Sequence, residues 1–221
     1  MASRVLITGA NRGIGLALAR HYQGEGWQVI GVCRTASQEL NEAAVQVVEG
    51  IDVTRDEDVA RLAEAIRGQH LHLLINNAGL LHDESLGSLD FDTIREQMEV
   101  NAYGPLRVTE ALLDNLGAGS KVANVTSRMG SIADNDSGGR YGYRASKAAL
   151  NAFGKSLAID LKPKGIAVAQ LHPGYVQTRM VNFGGLIPPE EAAAGIAARI
   201  EALTLEASGG FWHSNGEALP W

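Results

Sequence analysis

Short apolar runs, largely of β-branched residues, recur along the chain, and between them apolar residues return at helical spacing. Arg4–Thr8 (RVLIT) reads as a strand; Ile14–Gly24 then repeats its apolar residues every three or four positions, as a helix with one buried face does. Gln28–Cys33 is predicted as a second strand and Val45–Val48 as a third, followed by a helix over Asp56–Gly68 with Thr54 or Arg55 near its cap. Leu71–Ile75 is the expected fourth strand, with helices over Asp92–Ala102 and Leu106–Leu116 behind it. Lys121–Thr126 follows as the fifth strand, then a Gly/Asp/Ser-rich loop over Arg128–Arg140 and a long helix over Tyr143–Leu161. Ile166–Leu171 makes a sixth strand, Pro189–Leu205 a last helix, and Gly210–Trp212 a short final strand.

Strands that are apolar on both faces belong in a parallel sheet covered by helices on either side. Right-handed crossovers then leave the doubly wound Rossmann type of arrangement. No linker, low-complexity tract or internal repeat divides the pattern. The expected fold is therefore α/β: a single domain over residues 1–221, with a mostly parallel sheet of about seven strands flanked by helices.

Composition narrows the function. The chain is 45% hydrophobic and 20% charged, ordinary for a globular domain, and long enough to bury roughly 70% of its unfolded surface without staples. A net charge of −6 argues against a nucleic-acid partner. No stretch approaches the ~20 apolar residues that span a bilayer, so no membrane association is expected. Met1–Ile7 runs straight into a strand and lacks the features of a signal peptide. Cys33, the lone cysteine, suits a reducing compartment, and a cytoplasmic location is expected. The histidines at 21, 70, 72, 82, 172 and 213 lack metal-ligand spacing, so they are read as structural or surface groups and no metal is expected. Trp212 and Trp221 are expected to anchor the last strand or a subunit contact.

Two stretches carry candidate chemistry. Thr8-Gly9-Ala10-Asn11-Arg12-Gly13-Ile14-Gly15 joins the first strand to the first helix. Glycines there let the backbone turn sharply and approach a ligand, and the helix start presents free N–H groups to a pyrophosphate. Where a dinucleotide fold that takes NAD places an acid at the end of the second strand, this chain has Cys33 and then Arg34. Without that carboxylate, Arg34 and Arg12 are both suited to a 2′-phosphate, which favours NADP(H) over NAD(H). Further on, Tyr143 and Lys147 stand at i and i+4 at a helix start. A phenol has a pKa near ~10, and an ammonium beside it, with the positive nicotinamide ring, favours the phenolate that an acid/base group must reach.

With these stretches in view, the chain resembles the short-chain dehydrogenase/reductase family over nearly its whole length. The family's Thr-Gly-x-x-x-Gly-x-Gly turn matches Thr8–Gly15, and its Asn-Asn-Ala-Gly motif matches Asn76-Asn77-Ala78-Gly79. Its helix asparagine matches Asn101, its strand-end serine Ser127, its Tyr-x-x-Ser-Lys Tyr143–Lys147, and its Pro-Gly-x-x-x-Thr Pro173–Thr178. The resemblance implies that Tyr143 gives or takes the proton on the substrate oxygen, and that Lys147 lowers its pKa and holds the nicotinamide ribose. Ser127 would hold the substrate oxygen as charge develops, and Asn101 would anchor a water linking Lys147 to solvent. The implied cofactor contacts are Gly9, Asn11, Arg12, Gly13, Ile14, Gly15, Arg34, Asp52, Val53, Asn77, Ala78, Gly79, Tyr143, Lys147, Pro173, Val176 and Thr178. Asp52 also reads as a turn or helix-capping aspartate, and Asn76–Gly79 as an ordinary turn. Substrates would be small carbonyls or alcohols.

Two departures stand out. Ser127 and Tyr143 are further apart than is usual in the family, with the extra residues in 129–140, and the lid between Thr178 and Pro188 is short, which implies an open pocket. The stretches Ser127–Ile132 and Tyr141–Asn151 resemble the sniffer and C-factor type of short members. Ala148, Ala149 and Ala152 leave a smooth helix surface of the kind that pairs across a two-fold axis in the family, so a homodimer or homotetramer is expected. A catalytically marginal nucleotide-binding signalling or sensor protein on the same fold is the rival reading. The presence of all four of Asn101, Ser127, Tyr143 and Lys147 favours the enzyme.

Overall fold

The computed structural model describes residues 2–44 and 46–221. Seven strands lie in one sheet, β1 (Arg4–Thr8), β2 (Gln28–Val32), β3 (Gln46–Val48), β4 (Leu71–Asn76), β5 (Leu116–Val125), β6 (Ala167–His172) and β7 (Gly210–His213), in the order β3-β2-β1-β4-β5-β6-β7. Every pairing is parallel. The helices are α1 (Gly13–Gly24), α2 (Gln38–Ala43), α3 (Asp56–Ala65), α4 (Phe91–Met98), α5 (Gly104–Ala111), α6 (Tyr141–Leu161) and α7 (Pro189–Glu201). The expected doubly wound α/β fold is borne out. Val45, expected to open the third strand, lies outside the described residues, as does Met1.

Alternation along each strand makes two cores. Val5, Ile7, Leu73, Ile75, Ala169 and Leu171 face one side and pack with Leu18 of α1 and Ile196 of α7. Leu6, Ile30, Leu74, Val122 and Val168 face the other and meet Leu62 of α3, Leu112 and Leu161. At roughly 25 cal/mol per Å² of apolar surface, these two faces are the main source of stability.

Three elements differ from expectation. α2 is too short to show periodicity; it forms because Ser37 Oγ accepts the Leu40 N–H at 3.2 Å and Leu40 packs under Gly31, where a Cβ would lie 2.6 Å from a Leu40 methyl. The helix expected over Asp92–Ala102 leaves α-helical winding at Met98 and passes through a wide i→i+5 turn, Glu99–Tyr103, into α5. Pro105, with no N–H to give, sits at the start of the new helix. α5 ends at Ala111 rather than Leu116, because Leu116 pairs with Leu71 and β5 begins there, through a glycine-rich stretch that reads as a turn.

Candidate active site

Order along the sheet reverses at β1, whose neighbours are β2 and β4, and such a reversal opens a crevice at the carboxyl ends of the strands. The turn after β1 lies there. Gly9 has φ +65° and Gly13 φ +54°, backbone that glycine adopts freely. A Cβ on Gly9 would lie 2.8 Å from Ala78 Cα, and one on Gly15 would strike Gly9 O. The turn is thus tied to Asn77-Ala78-Gly79 after β4. Thr8 Oγ1 accepts the N–H groups of Asn77 and Ala78 at 3.0 and 3.1 Å, and Asn77 Nδ2 donates to Thr8 O and Gly9 O at 3.0 and 3.2 Å. A Cβ on Gly13 would reach 3.4 Å from Thr178 Cγ2, so the segment after β6 closes over the same turn.

Arg12 caps α1 in extended backbone, and its side chain makes no capping hydrogen bond to the first N–H groups of that helix. A helix start whose first N–H groups have no side-chain cap fits a pyrophosphate. Asn11 Nδ2 donates to Thr35 O at 2.9 Å, joining the turn to the loop after β2. Arg12 and Arg34 are both exposed. Asp52 Oδ1 accepts from Thr54 N and Oγ1, the capping-type role that its position also allowed. Burial pushes its carboxyl up, but the Thr54 bonds and the charges of Arg34 and Arg55 outweigh this and hold it below the usual range. Val53 is buried under Gly104, and Val53 O accepts from Arg107.

The four residues of the implied tetrad converge beside this cradle. Ser127 leaves β5 with its hydroxyl accepting the Met129 N–H at 3.1 Å. Tyr143 and Lys147 sit on the buried side of α6, with Lys147 Nζ 5.8 Å from the Tyr143 ring centre. Lys147 Nζ also donates to Val125 O at 2.9 Å. Asn101 lies in the wide turn, fully buried; its amide accepts Leu80 N–H and donates to Leu80 O, both at 2.8 Å, and donates to Ser146 Oγ at 3.1 Å. Gly79 stands between, since a Cβ there would lie 3.2 Å from Asn101 Oδ1 and 3.7 Å from Lys147 Nζ. Wide turns of this kind recur at functional sites.

Electrostatics differ from the expectation for Tyr143. Burial pushes its phenol up, while the hydrogen-bonding Ser127 hydroxyl and the Arg140 charge act against it. The chain's own groups therefore keep the phenol protonated at neutral pH. Lys147 is pushed down to about 8 by burial.

Several residues that sequence reading left aside support the site. His172 and His213 stand edge to face, 4.8 Å between ring centres, just before Pro173; burial, then His213, Arg128 and Lys147, push His172 down to about 3 and keep it neutral. The lengthened 129–140 segment is tied to the end of the chain: Ile132 N, Ala133 N and Ser131 Oγ donate to Trp221 O at 2.7, 3.0 and 3.0 Å. Trp221 stacks on Phe211 of β7 at 5.3 Å, the anchoring role expected of it. Arg128 pairs with Asp134 and Glu217 across the same junction. In the short lid, Gln177 N donates to Ile187 O and Phe183 N to Thr178 O, leaving Tyr175, Met180, Phe183 and Leu186 exposed. No helix among the described residues is long and apolar enough to cross a membrane.

Known proteins resemble this chain over its whole length. The short chain dehydrogenase family model matches residues 3–184. A 1-hydroxy-2-glutathionyl-2-methyl-3-butene dehydrogenase of Rhodococcus sp. (strain AD45) is 44% identical over 225 aligned residues, covering 99% of this chain and all of that protein. The carbonyl reductase Sniffer of D. melanogaster superposes with a TM-score of 0.91 at 28% identity, and a short-chain dehydrogenase/reductase of Burkholderia multivorans with bound NADP with 0.92 at 28%; each match covers 100% of both chains. The chain belongs to the short-chain dehydrogenase/reductase family of oxidoreductases.

Proposed function

We propose that this chain is an NADP(H)-dependent oxidoreductase that interconverts a small carbonyl and its alcohol, with Asn101, Ser127, Tyr143 and Lys147 as its working groups. The observation that carries the reading is the convergence of Tyr143, Ser127 and Lys147 at the edge of the glycine cradle, with the phenol buried. The nicotinamide, when bound, supplies or accepts the hydride.

The chain's own residues handle the oxygen. Ser127 donates a hydrogen bond to the carbonyl oxygen as negative charge develops there, and the Tyr143 hydroxyl delivers the proton that completes the alcohol. Lys147, cationic below about 8, attracts the phenolate left behind. Asn101, next to Lys147 across Gly79, anchors the path by which Tyr143 is reprotonated.

The cofactor would lie against Gly9, Asn11, Arg12, Gly13, Ile14 and Gly15, with Arg34 and Arg12 on a 2′-phosphate, Asp52 and Val53 near the adenine, Asn77, Ala78 and Gly79 along the ribose, and Pro173, Val176 and Thr178 at the nicotinamide. The preference for NADP(H) rests on Cys33 just past the end of β2, where an NAD-binding chain would carry an acid, and on the exposed Arg34 that follows it. Residues 1–221 act as one domain, cytoplasmic as the lone Cys33 suggests, and pair as a homodimer or homotetramer through α5 and α6, where Ile159 of α6 and Tyr103, just before α5, are exposed. The short lid, with its exposed apolar side chains, supports an open pocket. The test is NADPH oxidation at 340 nm against aldehydes, ketones and quinones: turnover of at least one class is expected, and tight NADPH binding with no turnover of any would favour the sensor reading instead.

A further inference from the structure

α6 carries Tyr143 and Lys147, yet its N-terminus has no cap of its own. Arg140 precedes it in left-handed backbone at φ 50°, the Arg140 side chain makes no capping hydrogen bond, and the first turn contains no acid. The carboxylate that serves this end comes from a distant loop. Glu84, only 3% exposed, accepts the Gly142 N–H on Oε2 at 3.1 Å, one residue before Tyr143. Its other oxygen accepts from Gln97 Nε2 at 2.5 Å and Thr93 Oγ1 at 3.1 Å, both on α4. Its carbonyl accepts the Arg140 N–H at 2.9 Å.

The loop holding Glu84 is itself fixed at alternate residues, Leu80 by Asn101 and His82 by Gln97 Oε1 at 2.9 Å. There is no slack at the helix: a Cβ on Gly142 would strike Gln97 Nε2 and lie 2.9 Å from Glu84 Oε1. The charged groups around this knot are Arg140, bound to Asp83, and the exposed His82–Glu96 pair. An anion at a helix start is favoured by the dipole and by the unpaired N–H groups there.

We infer that Glu84 is the positioning residue for Tyr143, holding the first turn of α6 through Gly142 so that the phenol meets the substrate oxygen; this rests on Tyr143 being the proton donor. Glu84→Gln puts an NH₂ against either the Gly142 N–H or Gln97 Nε2, so a donor faces a donor. Adding Gln97→Glu lets the new amide at position 84 donate to the new carboxylate at position 97 while its oxygen accepts from Gly142. The cost is the long 3.3 Å contact from position 97 to Thr93 O.

The experiment measures kcat, carbonyl KM and NADPH Kd for the wild type, Glu84→Gln, Glu84→Gln with Gln97→Glu, and Tyr143→Phe. Glu84→Gln is expected to lower kcat by about tenfold or more, since small misplacements of a reacting group are costly, with KM and Kd within about twofold of wild type and kcat largely recovered in the double variant. Wild-type kcat in Glu84→Gln beside an inactive Tyr143→Phe overturns the inference alone; so does a loss spread equally over kcat and Kd that the double variant does not recover. Full activity of Tyr143→Phe overturns the proton-donor reading and the inference with it. If Glu84→Gln does not fold, Glu84→Asp, which keeps the charge and withdraws the carboxylate, carries the same comparison.

Discussion

Lys147 is 4% exposed, and its ammonium has only Val125 O as a hydrogen-bond acceptor among the described residues. Burial of the charge brings its pKa down to about 8 from 10.5. Between those values the unfolded chain keeps a proton that the folded chain has shed, so stability rises with pH across the window, and below about 8 the burial acts as a full penalty. Lys147→Met should therefore unfold at a higher temperature than the wild type near neutral pH, with the advantage shrinking as pH rises through the window. Thermal unfolding at several pH values checks this; a difference that stays constant with pH would contradict it. Arg34 offers a second test at this scale. NADPH should bind at least about tenfold more tightly than NADH, some 1.4 kcal/mol, and Arg34→Asp should remove the difference, whereas equal Kd values in the unaltered protein would sink the assignment. Side-chain pairings at this scale were the least legible in the sequence. Glu84 and His213 carry no motif, and only the fold brings them to α6 and to His172.

Helix α1 meets the turn after β1 at a glycine because nothing larger fits. At Gly15, an added Cβ would strike Gly9 O and come within 2.5 Å of Asn77 Nδ2. Gly15→Ala must push α1 away from Asn77, at a cost of about 1–3 kcal/mol from overpacking. Chemical denaturation should show that loss together with weaker NADPH binding; an unchanged midpoint and Kd would mean that the helix relaxes without strain. Elements with a strong period were read correctly from sequence, among them α1, β6 and the long α6, since alternation or helical spacing follows from which face is buried. The elements misjudged were set by tertiary contacts. α2 exists because Leu40 fits beneath Gly31, the wide turn at Glu99–Tyr103 precedes Pro105, and β5 begins early because Leu116 finds Leu71.

Across the whole molecule, the candidate site draws on residues scattered between Thr8 and Thr178, which the parallel sheet gathers at the carboxyl ends of its strands. Strand order made that gathering foreseeable from the alternation of strands and helices. The roles proposed for Asn101 and Ser127 rest on family resemblance, because each is ordinary within its own element. The loop before Tyr143 makes contacts that only the folded chain reveals: it reaches across to Trp221, which stacks on Phe211 of β7. The most direct test compares kcat for carbonyl reduction at saturating NADPH in the wild type and in Tyr143→Phe, with NADPH Kd measured alongside. A proton donor at Tyr143 predicts a fall of roughly 10²–10⁴ in kcat with Kd nearly unchanged. Equal turnover in the two proteins would contradict it.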